Sequence, residues 1–246
     1  MLPLTEAPYK SLILAARYST LLPAKRLRPL IALEMATSYG ASLEEVLNPA
    51  AALELIHTYT LIHDDLPCMD DEVLRRGKPP LHKAMSEGLA LLAGDYLLTY
   101  AFEVISKERA LSAEKRVELI QALSSLAGAD GVIGGQVLDL YPESHSFEEM
   151  MWVNSRKTGH LFLACFEFAA IISNVDEKDR ALFREFGALF GLTYQLLDDL
   201  EDEGTLKAPI ADFLTKMEEV HQSQSIQTDI QKALLLWMNR KYGDWS

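Results

Sequence analysis

Two clusters of carboxylates dominate the chemistry available to this chain. The first runs His57-Thr-Tyr59-Thr-Leu-Ile-His-Asp64-Asp65-Leu-Pro67-Cys-Met-Asp70-Asp71-Glu72, and the second Gln195-Leu-Leu-Asp198-Asp199-Leu-Glu-Asp202-Glu-Gly204. Each ends a run of helical composition, because Pro67 stops one helix near Leu66 and Gly204 stops the other. The macrodipole is negative at a helix C-terminus, so carboxylates gathered there repel the helix end and one another until a cation joins them. Asp198 and Asp202 are four residues apart and share a helix face, on which Gln195 also lies. Hard oxygen ligands without imidazole or thiolate favour Mg2+, which takes one or two carboxylates per ion and fills its shell with phosphate oxygens. Two facing acidic helix ends would clamp a metal-bound diphosphate.

The basic residues suit the same ligand. Lys25-Arg26-Leu-Arg28-Pro29 stands near the start, Arg75-Arg76-Gly77-Lys78 follows the first acidic cluster, and Lys157-Thr158-Gly159 interrupts a long helical run. Guanidinium groups contact phosphate bidentately, and lysine supplies a point charge. Taken singly, each carboxylate reads most simply as a solvated helix end and each basic pair as solvated surface. His57, alone in an apolar helix, reads by itself as a core histidine. Together they describe a diphosphate held between metals and cations.

The elements that must position these groups are helices. Long stretches of Ala, Leu, Glu and Lys predict helices over 28–39, 49–65, 84–106, 113–127, 147–172, 178–202 and 226–241. Asn48 before Pro49 and Ser112 before Ala113 read as helix starts. Only 13 glycines and 10 prolines punctuate the chain, too few for an all-β protein. No GxGxxG, βαβ rhythm, fixed-period repeat or linker divides it. The expectation is an all-α fold, one helical-bundle domain over residues 1–246, around a buried central helix at 91–105 that is apolar almost all round.

Composition narrows the partners. Across 246 residues, 36 acids and 23 bases give a net charge of −13, which disfavours general nucleic-acid binding. Cys68 and Cys165 stand in no metal-ligand or disulfide pattern. No uninterrupted run of 18 apolar residues and no basic, apolar leader at the N-terminus is found, so the expectation is a soluble cytoplasmic protein without stable membrane insertion.

These residues resemble the trans-polyprenyl diphosphate synthases, which extend allylic diphosphates with isopentenyl diphosphate. The resemblance runs from about Lys25 to Asp202. It rests on Ile62-His-Asp-Asp-Leu-Pro-Cys-Met-Asp-Asp-Glu-Val-Leu-Arg-Arg-Gly, Gly134-Gly-Gln136-Val-Leu-Asp139, Lys157-Thr158-Gly159 and Gln195-Leu-Leu-Asp198-Asp199-Leu-Glu-Asp202, in the family's order. It implies the isoprenoid synthase type of fold and a homodimer. It implies that Asp64, Asp70 and Asp198 ligate Mg2+, with Asp65, Asp199 and Asp202 completing the acidic motifs. Arg75, Lys157, Thr158 and Gln195 would hold the allylic diphosphate, and Lys25, Arg28, His57 and Arg76 that of isopentenyl diphosphate. Diphosphate departure would then leave an allylic carbocation, which the isopentenyl double bond attacks before a proton is lost. Tyr59, five residues before Asp64, would floor the tail channel and favour the C15 product, farnesyl diphosphate, with C20 next. The chain departs from the family pattern in having Pro23-Ala24 before Lys25 instead of two glycines, and no lysine-rich loop after Asp202. A terpene cyclase, or a non-catalytic partner of an active synthase, are the competing classes.

Overall fold

Helix α9 (His160–Ser173) forms the centre: eleven of its fourteen residues are buried, from Leu161 to Ile172. A helix apolar on every side has to sit inside, and α9 is wrapped by α2 (Leu27–Ser38), α3 (Leu43–Asp64), α6 (Ala113–Ala127) and α10 (Glu177–Asp199). Its one buried acid, Glu167, is held by Arg180 and Arg184 of α10 at 2.6 and 2.7 Å. The fold is seen in a computed structural model that describes residues 2, 6–141, 146–199 and 207–243. The remaining helices are α1 (Lys10–Thr20), α4 (Leu81–Ala84), α5 (Glu87–Ser106), α7 (Val132–Leu140), α8 (Phe147–Asn154), α11 (Lys207–Ser223) and α12 (Asp229–Gly243). The all-α expectation holds: among the described residues the only β pairing is an isolated bridge between Arg75 and Lys78.

The centre is not the 91–105 segment. That segment lies in α5, which buries one stripe, Ala90, Ala93, Leu97, Ala101 and Ile105, while Leu91 and Leu92 are 47% and 57% exposed. By length and mean hydropathy, 1.4, α5 is able to cross a membrane; here it packs on α3 and α1. Its small residues let it lie close to α3: a Cβ on Gly94 would fall on the His63 ring.

Helix α3 also starts earlier than Pro49. Ser42 and Glu45 form a capping box, with the Ser42 side chain accepting from Glu45 N and the Glu45 side chain accepting from Ser42 N. Pro49 therefore lies inside the helix, and Asn48 caps nothing; its amide donates to Glu108 at 2.8 Å. The predicted 84–106 helix begins at Glu87 with Ser86 as cap, and Ser112 caps α6 as expected. The 147–172 run is three pieces, α8, a π-helical turn over Ser155–Gly159, and α9. Helices α1, α4, α7 and α11 were not read from the sequence.

Candidate active site

Helix α3 is the spine of the site. Glu54, His57 and Asp64 fall at i, i+3 and i+10 and so face one way. Glu54 is 7% exposed, and its carboxylate accepts from Arg26 at 2.5 Å, with the Arg76 guanidinium 4.0 Å away. Arg26 also donates to the carbonyls of Thr20 and Leu22. Both arginines have left-handed backbones, φ 51° and 53°. Such conformations are costly for residues with a Cβ, and the buried carboxylate is what fixes both guanidinium groups.

Two cavities meet at His57 and Arg28. The first, about 280 Å³, is lined by Lys25, Arg28, His57, Arg76, Phe162 and Tyr194. The Arg28 guanidinium lies 4.2 Å from the centre of the Phe162 ring. Burial, with the Arg28 and Arg76 guanidinium groups close by, holds the His57 pKa well below its usual value. His57 is therefore neutral at pH 7 in the ligand-free chain. The four cation-side residues expected to share a diphosphate are thus brought together.

The second cavity, about 320 Å³, is polar at Asp64, Lys157 and Thr158 and otherwise mostly apolar, with Tyr59, Ile133, Val137 and Leu140 among its walls. Tyr59 is 4% exposed, and burial with Asp64 nearby pushes its hydroxyl up to about 12. Its ring meets His63 edge-on at 5.8 Å.

At the end of α3 the carboxylates crowd. Burial pushes Asp64 up to about 6, with Asp70 and Asp65 adding to the rise and Lys157 and Arg75 opposing it. Asp65 plays a different part. It is 3% exposed and accepts two hydrogen bonds from Arg75, at 2.8 and 2.5 Å, so Arg75 is already committed to a carboxylate. Asp70 is exposed, and its backbone N–H returns to the Asp64 carbonyl at 2.9 Å, closing the turn that Pro67 begins.

The π turn delivers Lys157 and Thr158. Lys157 pairs with Asp139 of α7 at 2.5 Å, and the Thr158 hydroxyl donates to Gln195 Oε1 of α10 at 2.9 Å. Glycines allow the approach: a Cβ on Gly135 would lie 2.5 Å from Lys157 N, and one on Gly191 2.5 Å from Gly159 Cα. Asp198 is exposed and ion-paired with Lys241 of α12. Asp202 and the side chain of Asp199 lie outside the described residues. Among the described residues, no three His, Cys, Asp or Glu side chains converge on one point, so Asp64, Asp70 and Asp198 do not form a ready-made cage. The donor set still fits Mg2+, which needs one or two carboxylates per ion, and desolvated Asp64 beside Asp70 is a place where added positive charge is favoured.

Residues 10–207 match the family model for polyprenyl synthetase. The chain belongs to the polyprenyl synthetase family. A farnesyl diphosphate synthase of Bacillus subtilis is 44% identical over 189 residues, 75% of this chain and 64% of that protein. The chain thus spans under two thirds of that relative's length. A geranylgeranyl diphosphate synthase of Cyanophora paradoxa is 34% identical over 91% of this chain and 81% of its own. Among solved structures, an FPP/GFPP synthase of Zymomonas mobilis superposes with a TM-score of 0.90 at 33% identity, over 96% of this chain and 91% of that one. The isoprenoid-type helical fold of this polyprenyl synthetase family member is shared along nearly its whole length.

The sequence reading missed Glu54, Phe162, Tyr194 and Lys241. Glu54 was detectable, three residues before His57 in an apolar helix where a carboxylate needs a partner. Nothing local marks the other three.

Proposed function

We propose that this member of the family is a Mg2+-dependent prenyltransferase that condenses isopentenyl diphosphate with short allylic diphosphates. The observation that carries this is the pair of adjoining cavities, one cationic and the other polar at Asp64, Lys157 and Thr158 and apolar beyond, sharing His57 and Arg28. A terpene cyclase has one diphosphate to hold and would have no use for Lys25, Arg28 and Arg76 around a second space.

In this reading Asp64, Asp70 and Asp198 hold Mg2+, with Asp199 and Asp202 completing the second motif. A Mg2+ held by these carboxylates would supply positive charge against the developing negative charge of the diphosphate. Lys157, Thr158 and Gln195 orient the allylic diphosphate, with Arg75 beside them. Lys25, Arg28, His57 and Arg76 hold the isopentenyl diphosphate, His57 by donating one hydrogen bond. The apolar wall excludes water from the carbocation. Tyr59 sits about one and a half turns below Asp64; a turn rises about 5.4 Å, near the length of one isoprene unit. Its burial in the second cavity supports a C15 product, farnesyl diphosphate, with C20 as runner-up. The protein is read as one domain, soluble in the cytoplasm and homodimeric. Incorporation of labelled isopentenyl diphosphate with Mg2+ and C5, C10 or C15 primers is the test. Chain elongation ending at C15 is expected; cyclised hydrocarbon, or no incorporation, would replace this reading with a cyclase or a partner subunit.

A further inference from the structure

Helix α12 is joined to the acidic end of α10 by Trp237 and Lys241, which the substrate contacts above do not use. Trp237 and Lys241 lie four apart on α12, and Tyr194 and Asp198 four apart on α10, so each helix presents one aromatic and one charge on a single face. The aromatics stack, Trp237 on Tyr194 with centroids 5.7 Å apart and planes at 25°. The charges pair, Lys241 Nζ on Asp198 Oδ1. Lys241 Nζ also lies 5.9 Å from the Trp237 ring centre, with Lys25 Nζ at 6.0 Å. From Tyr194 the run continues through Phe162 at 5.0 Å to Arg28 in the cationic cavity.

We propose that Lys241 is a placeholder for the metal at Asp198, occupying the carboxylate until a divalent cation displaces it. The proposal rests on the assignment of Asp198 as a Mg2+ ligand. A lysine is suited to this: it is a monovalent point charge on a flexible stem, kept near the carboxylate by the stacked aromatics. It is also easily displaced, since the side chains are 26% and 46% exposed and such pairs are weak. A divalent ion brings twice the charge to the same oxygen. Lys241 therefore competes with the metal, and occupancy of the second acidic cluster is pushed towards the moment when a diphosphate arrives to share the ion.

Mn2+ binding to the substrate-free full chain, followed by the paramagnetic resonance of the free ion, tests this without turnover. Lys241→Met should bind Mn2+ about two- to fivefold more tightly than the wild type, the range set by a partly exposed ion pair. Lys241→Arg should stay close to wild type. In an Asp198→Asn background, removing Lys241 should give no gain. Unchanged or weaker Mn2+ binding in Lys241→Met overturns the proposal, and so does an equal gain with Asp198→Asn, which makes Lys241 only a distant charge. If no variant binds Mn2+, the metal assignment itself falls, an outcome distinct from equal binding by all.

Discussion

Asp64 carries the clearest signature of work against stability. A carboxyl whose pKa is higher in the folded chain than in the unfolded one costs stability above the folded value and nothing below the unfolded one. With Asp64 at about 6 and its ordinary value at 3.8, that cost grows as pH rises from about 4 to about 6 and is complete at neutral pH. Asp64→Asn should therefore stabilise the metal-free protein at pH 7.5, by roughly 1–3 kcal/mol, and the gain should vanish at pH 4. Turnover should fall by orders of magnitude. Denaturant melts at the two pH values check the first point, and a gain independent of pH would remove the burial argument. The adjacent arginines should separate. Arg76→Ala should weaken isopentenyl diphosphate by about 10–150-fold, the loss of one charge-assisted contact. Arg75→Ala should affect the allylic substrate and also cost about 2–4 kcal/mol of stability, because it strands buried Asp65. Competitive inhibition constants and melts of both variants decide it; identical profiles for the two would sink the division.

The elements matter where two backbones touch. The π turn sits against α10 through Gly159 and Gly191, and a methyl group at Gly191 would meet the Gly159 carbonyl oxygen at 2.9 Å as well as its Cα. Backbone on both sides cannot move aside as a side chain would. Gly191→Ala should thus cost about 1–3 kcal/mol and move Thr158 away from Gln195, raising KM for the allylic substrate. A variant with normal stability and kinetics would show that the contact is not needed. At the depth of the tail, Tyr59→Ala opens the apolar end of the second cavity on α3. Products should lengthen towards C20 while the first condensation continues. An active Tyr59→Ala enzyme with the original product lengths leaves Tyr59 a core aromatic and no more.

At the scale of the molecule, a chain of net charge −13 brings Lys25, Arg26, Arg28 and Arg76 to one cavity, so that anionic substrates meet a local field opposite to the global one. The homodimer is an expectation for the same scale. Leu91 and Leu92 remain exposed on α5, a helix otherwise apolar enough to belong in a core. Sedimentation should give a mass near twice 27.5 kDa, and Leu92→Glu should reduce it to the monomer. A wild type that sediments at 27.5 kDa at micromolar concentration takes the dimer out of the reading.

What the sequence determined by itself was local. Pro67 and the apolar turn before it place Asp64 and Asp65 at a helix end, Ser112 starts α6, and the cation runs at Lys25, Arg75 and Lys157 are visible as residues. Helical period puts His57 on the face of Asp64, and the structure keeps it there. What it could not determine was direction among helices that are apolar nearly all round. The 91–105 segment read as the interior helix, and only the Ala and Gly stripe of α5, measured against α3, turns its leucines outward and leaves α9 at the centre. Pro49 misled for a related reason: a capping box that begins seven residues earlier, at Ser42, outweighs the one hydrogen bond that a proline removes. The pairings of Asp65 with Arg75, Glu54 with Arg26, and Asp198 with Lys241 join residues 10, 28 and 43 positions apart. Each carboxylate took the cation that packing brought within reach of it, and no spacing along the chain encodes that distance.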